Sequence, residues 1–270
     1  IAVDITEKMR LREEANRASR LASLGELAAG IAHEINNPNA VILLNMPIIK
    51  EAFADAQAAL DIFFQEHGEL SLAGIDYQEM QTELPLLLER VQQSGERIRR
   101  IVDDLKNFVR DEGKLELGEV DLNLVVNAAV RLLGSSIKKA TENFLMELPA
   151  GLPKVNGDFQ KLEQVTVNLI QNACHALTSS EQQIQVTTKF DQTLGKVILQ
   201  VDDQGCGMSP EVLEKIRDPF YTTKREQGGT GLGLSVSERI LQECQGQLEV
   251  ESTPGEGSHF KVILPLRQED

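Results

Sequence analysis

The stretch Leu24-Gly-Glu-Leu-Ala-Ala-Gly-Ile-Ala-His-Glu-Ile-Asn-Asn-Pro38 decides the fold of the first part of the chain. Its apolar residues, with one leucine just before it, recur at alternating steps of three and four: Leu21, Leu24, Ala28, Ile31 and Ile35. Steps of this kind place side chains along one stripe of an α-helix, which is typical of a coiled-coil or helix-bundle seam. The stretch therefore predicts a long amphipathic helix.

A second stripe with the same period follows downstream. Its members are Leu88, Val91, Gly95, Ile98, Val102, Leu105 and Val109. Between the two stripes, residues 66–76 contain two glycines and no helical period, so the pattern predicts two long helices joined by a turn. Because a hairpin of two helices has little core of its own, two copies are expected to form a four-helix bundle, which implies a homodimer.

The pattern changes after residues 111–118, which break the helical period and are interpreted as a linker. Asp121 is predicted to cap a helix that reaches about Leu133. Further helical patterns cover Phe159–Leu177 and Leu234–Cys244, and β-type runs cover Asn143–Leu148, Ile184–Phe190, Lys196–Val201, Gln247–Glu251 and His259–Leu264. Strands mixed with helices of this size predict an α+β fold, a two-layer α/β sandwich over residues 119–270.

Length and charge exclude some classes of protein. The chain has 270 residues, which suggests two domains, and its formal charge is 27 − 42 = −15. An acidic chain is a poor match for duplex nucleic acid, because neutralising phosphates needs clustered Lys and Arg. The densest basic cluster, Arg97, Arg99 and Arg100, is short and is better explained as a solvated helix face. We therefore expect no nucleic-acid partner.

The cysteines and apolar runs bear on location. Cys174, Cys206 and Cys244 are scattered without a CxxC spacing, so neither a zinc site nor a disulfide framework is supported, and a reducing compartment is the simpler interpretation. The longest apolar run, Ala40–Ile49, is too short to span a bilayer, and no signal peptide opens the chain. We expect a soluble, cytoplasmic fragment without membrane contact, whose full-length protein could be membrane-anchored.

His33 is the first candidate reactive group. It lies two residues from each of two seam positions, so on a helix it is turned about 200° away from them and faces solvent. Glu34 adjoins it, Asn37 lies one turn on along the same face, and Pro38 should kink the helix. A neutral imidazole can act as a nucleophile, and a neighbouring carboxylate can hold its N–H. The alternative, a surface histidine on a polar face, is favoured by the residue alone but less by the whole string.

A glycine-rich segment, Gly228-Gly-Thr-Gly-Leu-Gly-Leu234, precedes a predicted helix. Glycines let backbone N–H groups approach phosphate closely, and a helix N-terminus adds partial positive charge. The segment has neither the lysine spacing of a P-loop nor a GxGxxG after a strand, so both of those folds are disfavoured. Alone, it is equally well explained as a loop.

Three further motifs change that balance. Asp203-Gln-Gly-Cys-Gly207 follows a strand, where a carboxylate can accept from an adenine amino group; an ordinary turn is the alternative, and the EF-hand pattern for calcium is incomplete. Asn168-Leu-Ile-Gln-Asn172 places two amides one helical turn apart, either as neutral ligands for Mg²⁺ or as surface groups. Asp218-Pro-Phe-Tyr-Thr-Thr-Lys-Arg225 offers an aromatic anchor followed by a polar, basic stretch.

The stretch Leu24–Pro38 resembles the H-box of sensor histidine kinases of two-component systems. That resemblance implies that His33 is the autophosphorylation site, that Glu34 is its base and orienter, and that Asn37 positions water when the kinase dephosphorylates its partner. Residues Ile1–Lys8 also resemble the closing strand and exit motif of a PAS sensor domain.

The domain boundaries follow from this resemblance. Residues 1–20 are interpreted as a PAS exit segment and signalling helix, and residues 21–110 as the dimerisation and histidine phosphotransfer hairpin. The linker at 111–118 then leads to a catalytic ATP-binding domain at 119–270.

The order of the remaining motifs is similar to the N, G1, F, G2 and G3 boxes of the histidine-kinase ATP-binding domain, a fold shared with gyrase-type topoisomerases and MutL-type repair proteins. The resemblance implies ATP and Mg²⁺ as cofactors, with Asn172 as the principal Mg²⁺ ligand, Asn168 in support and Asp203 as the adenine reader. The full set implied to contact ATP is Asn168, Asn172, His175, Asp203, Gly205, Gly207, Tyr221, Thr222, Thr223, Lys224, Gly229, Thr230, Gly231, Leu232, Gly233 and Leu234.

Several of these assignments keep an alternative. Several families have Lys or Arg where His175 stands, so a surface or core histidine is about as good an interpretation. Lys224 or Arg225 either neutralises phosphate charge or is a solvated charge of the lid over ATP, Tyr221–Thr230. Gly255 and Gly257 match the last box, although a strand turn explains them equally well.

The function implied is autophosphorylation of His33 from Mg-ATP and transfer to an aspartate of a response-regulator receiver domain, with phosphatase activity toward it in reverse. A gyrase-like ATPase is one rival, but that class has a glutamate base where this chain has Asn168. A non-catalytic dimerisation scaffold is the other, and it would show no ATP-dependent thermal shift.

Overall fold

A computed structural model of the chain describes residues 6–109, 117–224 and 229–266; the side chains of residues 6–33, 104 and 107–109 lie outside the description. The start of the predicted PAS segment, most of the predicted linker and Arg225 also lie outside the described residues. The chain divides into two compact units, Ile1–Asp111 and Glu112–Asp270. Over the described ranges, no helix combines the length and the apolar character needed to cross a bilayer.

The first unit is a helical hairpin. Its elements are α1 (Thr6–His67), β1 (Ser71–Leu72), β2 (Ile75–Asp76) and α2 (Tyr77–Val109). Helix α1 is continuous through both Pro38 and Pro47, although each proline removes a backbone donor. Strands β1 and β2 pair antiparallel across a two-residue turn at Ala73 and Gly74, which both have positive φ, as tight hairpin turns require. The predicted connection thus contains a small β-hairpin that its sequence does not signal.

The helices approach closely at Gly95 of α2. A Cβ atom there would lie 2.9 Å from Cδ2 of Leu43 and 3.2 Å from Oδ1 of Asn39. Asn39 is buried, and its Nδ2 donates to the Gly95 carbonyl at 2.8 Å. Met46 and Val102 are buried as well. The absence of a side chain at Gly95 therefore sets the spacing of the two helices at this level.

The predicted stripe on α2 divides between two faces. Gly95 and Val102 face the other helix, whereas Val91 and Ile98 are 46% and 38% exposed in the single chain. Helix α1 has a matching exposed apolar row at intervals of seven residues or twice seven: Ile35, Ile42, Ile49 and Phe63. The hairpin therefore has one internal apolar face and a second one without a partner in the described chain.

The second unit is a two-layer sandwich. Its elements are β3 (Gly118–Val120), α3 (Leu122–Ala140), β4 (Asn143–Glu147), β5 (Val155–Gly157), α4 (Phe159–Ala176), β6 (Gln183–Asp191), β7 (Lys196–Asp203), α5 (Pro210–Lys215), α6 (Gly233–Glu243), β8 (Gln247–Thr253) and β9 (Gly257–Pro265). The main sheet has five strands in the order β4-β6-β7-β9-β8, with β4 parallel to β6 and every other pair antiparallel. Strands β3 and β5 pair separately.

The helices α3, α4 and α6 form the second layer, because α4 packs against both other helices and against the central strand β7. Alternate residues of β6, including Ile184 and Val186, are fully buried. Leu169 and Ile170 of α4 are equally buried. The fold class predicted from the sequence, a helical hairpin followed by an α/β sandwich, is confirmed.

Element boundaries differ in places. Asp121 caps α3 as predicted, since its Oδ1 accepts from the backbone N–H groups of Asn123 at 2.9 Å and Leu124 at 3.3 Å. The helix continues beyond the predicted end to Ala140, because Ile137 continues its buried face. Strands β3 and β5 and helix α5 were not predicted, since elements this short have too few residues to display a period.

Candidate nucleotide site

Asp203 is the last residue of the central strand β7 and is only 4% exposed. Its Oδ1 accepts from the Gly205 backbone N–H at 2.9 Å, which bends the chain directly after the strand. Burial raises the pKa of this carboxyl, while the Gly205 hydrogen bond and the positive charge of Lys224 oppose that shift. A buried acceptor with this charge suits recognition of an amino group on a flat base.

The turn after Asp203 passes between two other backbones. A Cβ at Gly205 would lie 2.4 Å from the Ala176 carbonyl oxygen at the end of α4, and the next residue, Cys206, donates its N–H to that oxygen at 2.9 Å. Gly207 has φ +61°, and a Cβ there would lie 1.9 Å from the Thr253 carbonyl oxygen. Both glycines are therefore required by space.

Gly257 supports the same turn from behind. It has φ +109°, and a Cβ on it would lie 1.8 Å from the carbonyl oxygen of Asp203. Gly255 has φ +81° and nothing within 4 Å of its missing Cβ. Of the two glycines predicted in the last motif, Gly257 lies against the strand end that presents Asp203, and Gly255 turns the chain and donates its N–H to the Cys206 carbonyl at 2.8 Å.

The two amides of α4 have different surroundings. Asn168 Nδ2 donates to Ser237 Oγ at 2.9 Å, and a Cβ on Gly233 would lie 2.2 Å from Asn168 Oδ1, so this side chain packs against the first turn of α6. Asn172, one turn later, is half-buried, and its side-chain amide has no hydrogen-bond partner within the described residues. Of the two, Asn172 is the amide that is available to a ligand.

This donor set fits Mg²⁺ carried on nucleotide phosphates. Among the residues that the structure describes, no group of three or more His, Cys, Asp and Glu side chains could hold a metal ion. Mg²⁺ commonly takes only one or two protein oxygens and fills its octahedron with waters and phosphate oxygens. The Asn172 amide oxygen can provide one such ligand, and a metal contact from Asn168 stays a prediction.

The segment that follows α5 is hydrogen-bonded to the glycine segment at Phe220. Phe220 has a positive φ of 67° and donates its N–H to the Gly231 carbonyl at 3.0 Å. Gly231 has φ +71°, and a Cβ on it would lie 2.5 Å from the Phe220 carbonyl carbon. Thr222 Oγ1 accepts from the Lys224 N–H at 3.0 Å, and the Gly229 N–H donates to the Lys224 carbonyl at 3.0 Å. The described ends of the predicted lid therefore lie side by side.

Lys224 reaches back toward α4 and β7. Its Nζ donates to the Asn172 carbonyl at 3.3 Å. Burial lowers the pKa of the ammonium, and the neighbouring Cys206 and Asp203 oppose that shift. The side chain thus carries a positive charge into the region between Asp203 and Asn172, where phosphates of a nucleotide would need one.

The glycine segment leads directly into α6, whose first residue is Gly233. Leu232 and Leu234 are buried at 1% and 8% exposure, which anchors the helix start in the core, and Thr230 Oγ1 accepts from the Leu232 N–H at 3.4 Å. The first N–H groups of a helix lack acceptors within the helix and attract anions. The arrangement is suited to bind phosphate.

The other predicted site residues are distributed as follows. His175 is exposed at the end of α4, Tyr221 is half-buried and Thr223 is exposed. In the first unit, Glu34 and Asn37 are exposed on α1. His33 belongs to α1, and its side chain lies outside the described residues.

The structure adds residues that sequence reasoning missed. Ser237 is 1% exposed and accepts from Asn168 while donating to the Gly233 carbonyl at 2.9 Å. The Ala176 carbonyl receives the glycine turn after β7. The only sequence signal for Ser237 was its place one turn after a glycine at the start of a helix. The role of the Ala176 carbonyl has no sequence signal, because every residue has a backbone carbonyl.

Two family models match the chain. Residues 23–114 match the His Kinase A (phospho-acceptor) domain. Residues 157–268 match the histidine kinase-, DNA gyrase B-, and HSP90-like ATPase. The first range includes His33, and the second includes the turn after β7, the α4 amides and the glycine segment.

Individual histidine kinases resemble this chain, some over nearly all of its length and others over about half of it. The signal transduction histidine-protein kinase AtoS of Escherichia coli strain K12 is 32% identical over 97% of this chain and 38% of AtoS. The catalytic domain of histidine kinase ThkA is 32% identical over 56% of this chain and 96% of that domain, with a TM-score of 0.50. ThkA in complex with response regulator protein TrrA is 26% identical over 98% of this chain and 68% of that chain, with a TM-score of 0.61. The chain spans 37% to 40% of the length of three curated relatives, AtoS among them.

Proposed function

This chain belongs to the sensor histidine kinases, the ATP-dependent protein kinases of two-component systems, and from that premise we propose that it autophosphorylates His33 and passes the phosphoryl group to a response regulator. The observation that carries the proposal is the single site in which Asp203, Asn172, Lys224 and the glycine segment converge. The match of residues 23–114, which include His33, to a phospho-acceptor domain supports His33 as the acceptor.

The residues of the second unit bind and orient ATP. Asp203 accepts a hydrogen bond from the adenine amino group, and backbone N–H groups of the glycine segment and the α6 N-terminus hold the phosphates. Lys224 neutralises phosphate charge. The Asn172 amide oxygen ligates Mg²⁺, which supplies positive charge to the phosphates when it is bound.

The reaction moves the γ-phosphoryl group from ATP to a ring nitrogen of His33. The lone pair of one ring nitrogen forms the phosphorus–nitrogen bond, the bond between the γ-phosphorus and the bridging oxygen breaks with its electron pair left on ADP, and the proton on the other ring nitrogen passes to the Glu34 carboxylate. Glu34, the adjacent carboxylate, orients the imidazole and stabilises its positive charge. Such a transfer depends on positioning and charge stabilisation more than on covalent assistance.

The phosphohistidine then donates to an aspartate on a receiver domain. A solved relative, ThkA, is held in complex with response regulator protein TrrA, which supports this class of partner. We propose that Asn37 positions water for the reverse, dephosphorylating reaction, since it lies one turn from His33 and is exposed. Two copies of the chain form the acting dimer through the exposed apolar rows of α1 and α2.

Labelling with γ-phosphate-labelled ATP and Mg²⁺ tests the proposal. The wild-type chain should acquire an acid-labile, alkali-stable label. His33→Gln should lose the label and keep ATP binding, while Asn172→Ala should lose both Mg²⁺-dependent binding and the label. A label that persists in His33→Gln, or Mg²⁺-dependent affinity unchanged in Asn172→Ala, would contradict the assignments. ATP hydrolysis without any label would instead favour a gyrase-like ATPase.

A further inference from the structure

Arg217 joins three elements of the second unit. It lies in the segment between α5 and Phe220. Its Nη2 donates to the Leu248 carbonyl of β8 at 3.1 Å, and its Nε lies 3.2 Å from Oε1 of Glu238 on α6. Two of the guanidinium nitrogens therefore have protein acceptors, one on β8 and one on α6.

Arg217 and Glu238 lie on either side of the junction between Phe220 and Gly231, where the chain before the glycine segment meets that segment. Arg217 lies three residues before Phe220, and Glu238 lies seven residues after Gly231. Phe220 and Gly231 are themselves joined by a backbone hydrogen bond of 3.0 Å. The ion pair and the backbone hydrogen bond thus connect the same two segments of the chain at two successive points.

The backbone conformation at this junction must be stabilised by contacts with the surrounding residues. Phe220 adopts a left-handed backbone conformation with φ 67°, which costs a residue with a side chain strain energy and persists only where the surroundings impose it. The chain before Phe220 is tied to α6 and β8 through Arg217, and the chain after Gly231 enters α6 directly. The chain segments before and after the strained Phe220 are therefore both attached to α6.

We infer that Arg217 and Glu238 form a clasp that positions the glycine segment for ATP binding. The clasp does so by holding the Phe220–Gly231 junction in place against the first turn of α6. They are positioning residues, because neither contacts the region between Asp203, Asn172 and Lys224. The inference rests on the proposed function, in that ATP is the ligand whose binding the junction prepares.

The pair is partly shielded from solvent on the side of Glu238. The side chains of Arg217 and Glu238 are 46% and 25% exposed, so water screens them incompletely. Burial raises the pKa of Glu238, and Arg217 opposes that shift. Removal of the arginine would leave a half-buried carboxylate without its cation, which disfavours the geometry that brings α6 against the segment.

Kinetics of the full chain test the clasp. Arg217→Met and Glu238→Gln should each raise the KM for ATP in autophosphorylation, and weaken binding of a fluorescent ATP analogue, by about three- to tenfold, with kcat at saturating ATP within about twofold of wild type. Arg217→Lys should recover part of the loss, since it retains the positive charge. The double variant Arg217→Met/Glu238→Gln should be no worse than Arg217→Met, because that single variant already removes both the ion pair and the Leu248 hydrogen bond.

A matched control is the ion pair of Lys261 and Glu249, which joins β8 and β9 at 2.9 Å and is 33% and 53% exposed. Lys261→Met removes an ion pair from the sheet that contains Leu248, but it does not alter the Phe220–Gly231 junction. The KM of this variant for ATP should equal that of the wild type. If Arg217→Met and Glu238→Gln also keep the wild-type KM, or if they lower kcat alone, the clasp is wrong. A wild-type chain that binds no ATP would contradict the proposed function itself, before any variant is compared.

Discussion

Asp203 shows how a residue proposed to bind a ligand can cost stability. It is 4% exposed, and burial disfavours its charged form, so its pKa lies above the ordinary aspartate value of 3.8. The folded chain therefore binds this proton more tightly than the unfolded chain does. Stability must fall as the pH rises from the ordinary value through the raised one.

Asp203→Asn is accordingly expected to stabilise the chain at pH 7 and to weaken ATP binding. The amide keeps an acceptor for the Gly205 N–H but carries no buried charge, and gains of this kind are typically about 0.5–2 kcal/mol. Urea unfolding at several pH values measures the effect. The difference from wild type should shrink as the pH falls through the raised pKa of Asp203.

Asp202→Asn is the control for this prediction. Asp202 adjoins Asp203 but is half-buried, and its Oδ1 lies 2.7 Å from Nδ1 of His259. Loss of that contact should give no stabilisation at pH 7. An equal gain in both variants would show that overall charge, rather than burial of Asp203, determines the difference.

The connection between β8 and β9 illustrates the element scale. Gly255 and Gly257 both have positive φ, yet only at Gly257 would an added Cβ meet another part of the chain, the carbonyl oxygen of Asp203. Gly255 has free space around it. The turn therefore contributes both to strand pairing and to the position of a residue on the neighbouring strand β7.

Gly255→Ala and Gly257→Ala separate these two contributions. Gly255→Ala should cost only the strain of a left-handed alanine, about 1–3 kcal/mol, and should keep ATP affinity. Gly257→Ala should cost more and should weaken ATP binding, because its Cβ would lie 1.8 Å from the Asp203 carbonyl oxygen. Unfolding midpoints and ATP titrations of both variants measure this. Equal effects of the two substitutions on ATP affinity would disprove the supporting role of Gly257.

At the scale of the whole molecule, the first unit leaves apolar surface that a single chain does not cover. Ile42 and Ile49 of α1 are 43% and 48% exposed, and Val91 and Ile98 of α2 are 46% and 38% exposed. A row with a seven-residue repeat on each helix is the pattern of a helix-bundle interface. A second hairpin of the same sequence would cover it symmetrically.

The double substitution Ile42→Glu/Ile49→Glu should convert the dimer to a monomer, because it places charges at the centre of this interface. Light scattering after size-exclusion chromatography measures the mass directly. Leu132→Glu is the control, since Leu132 is 66% exposed on α3 of the other unit and should leave the dimer intact. A double variant that stays dimeric would place the interface elsewhere.

Much of the protein follows from short stretches of sequence. The steps of three and four around His33 and Gly95 determine two long helices, because helix periodicity depends only on neighbouring residues. The motifs at Asn168–Asn172 and Asp203–Gly207 identify the candidate site for the same reason, and the family predicted from them is confirmed. Each of these signals lies within a few residues of the group it describes.

Tertiary structure alone decided how distant segments meet. Asn168 packs on Gly233, Gly257 lies behind Asp203 and Arg217 pairs with Glu238, and each contact joins residues that are far apart in sequence. The division of the α2 stripe into an internal and an exposed face likewise depends on where α1 lies. A local period specifies which residues share a face, but the partner of that face is chosen by packing across the whole fold, where close contacts exclude all other arrangements.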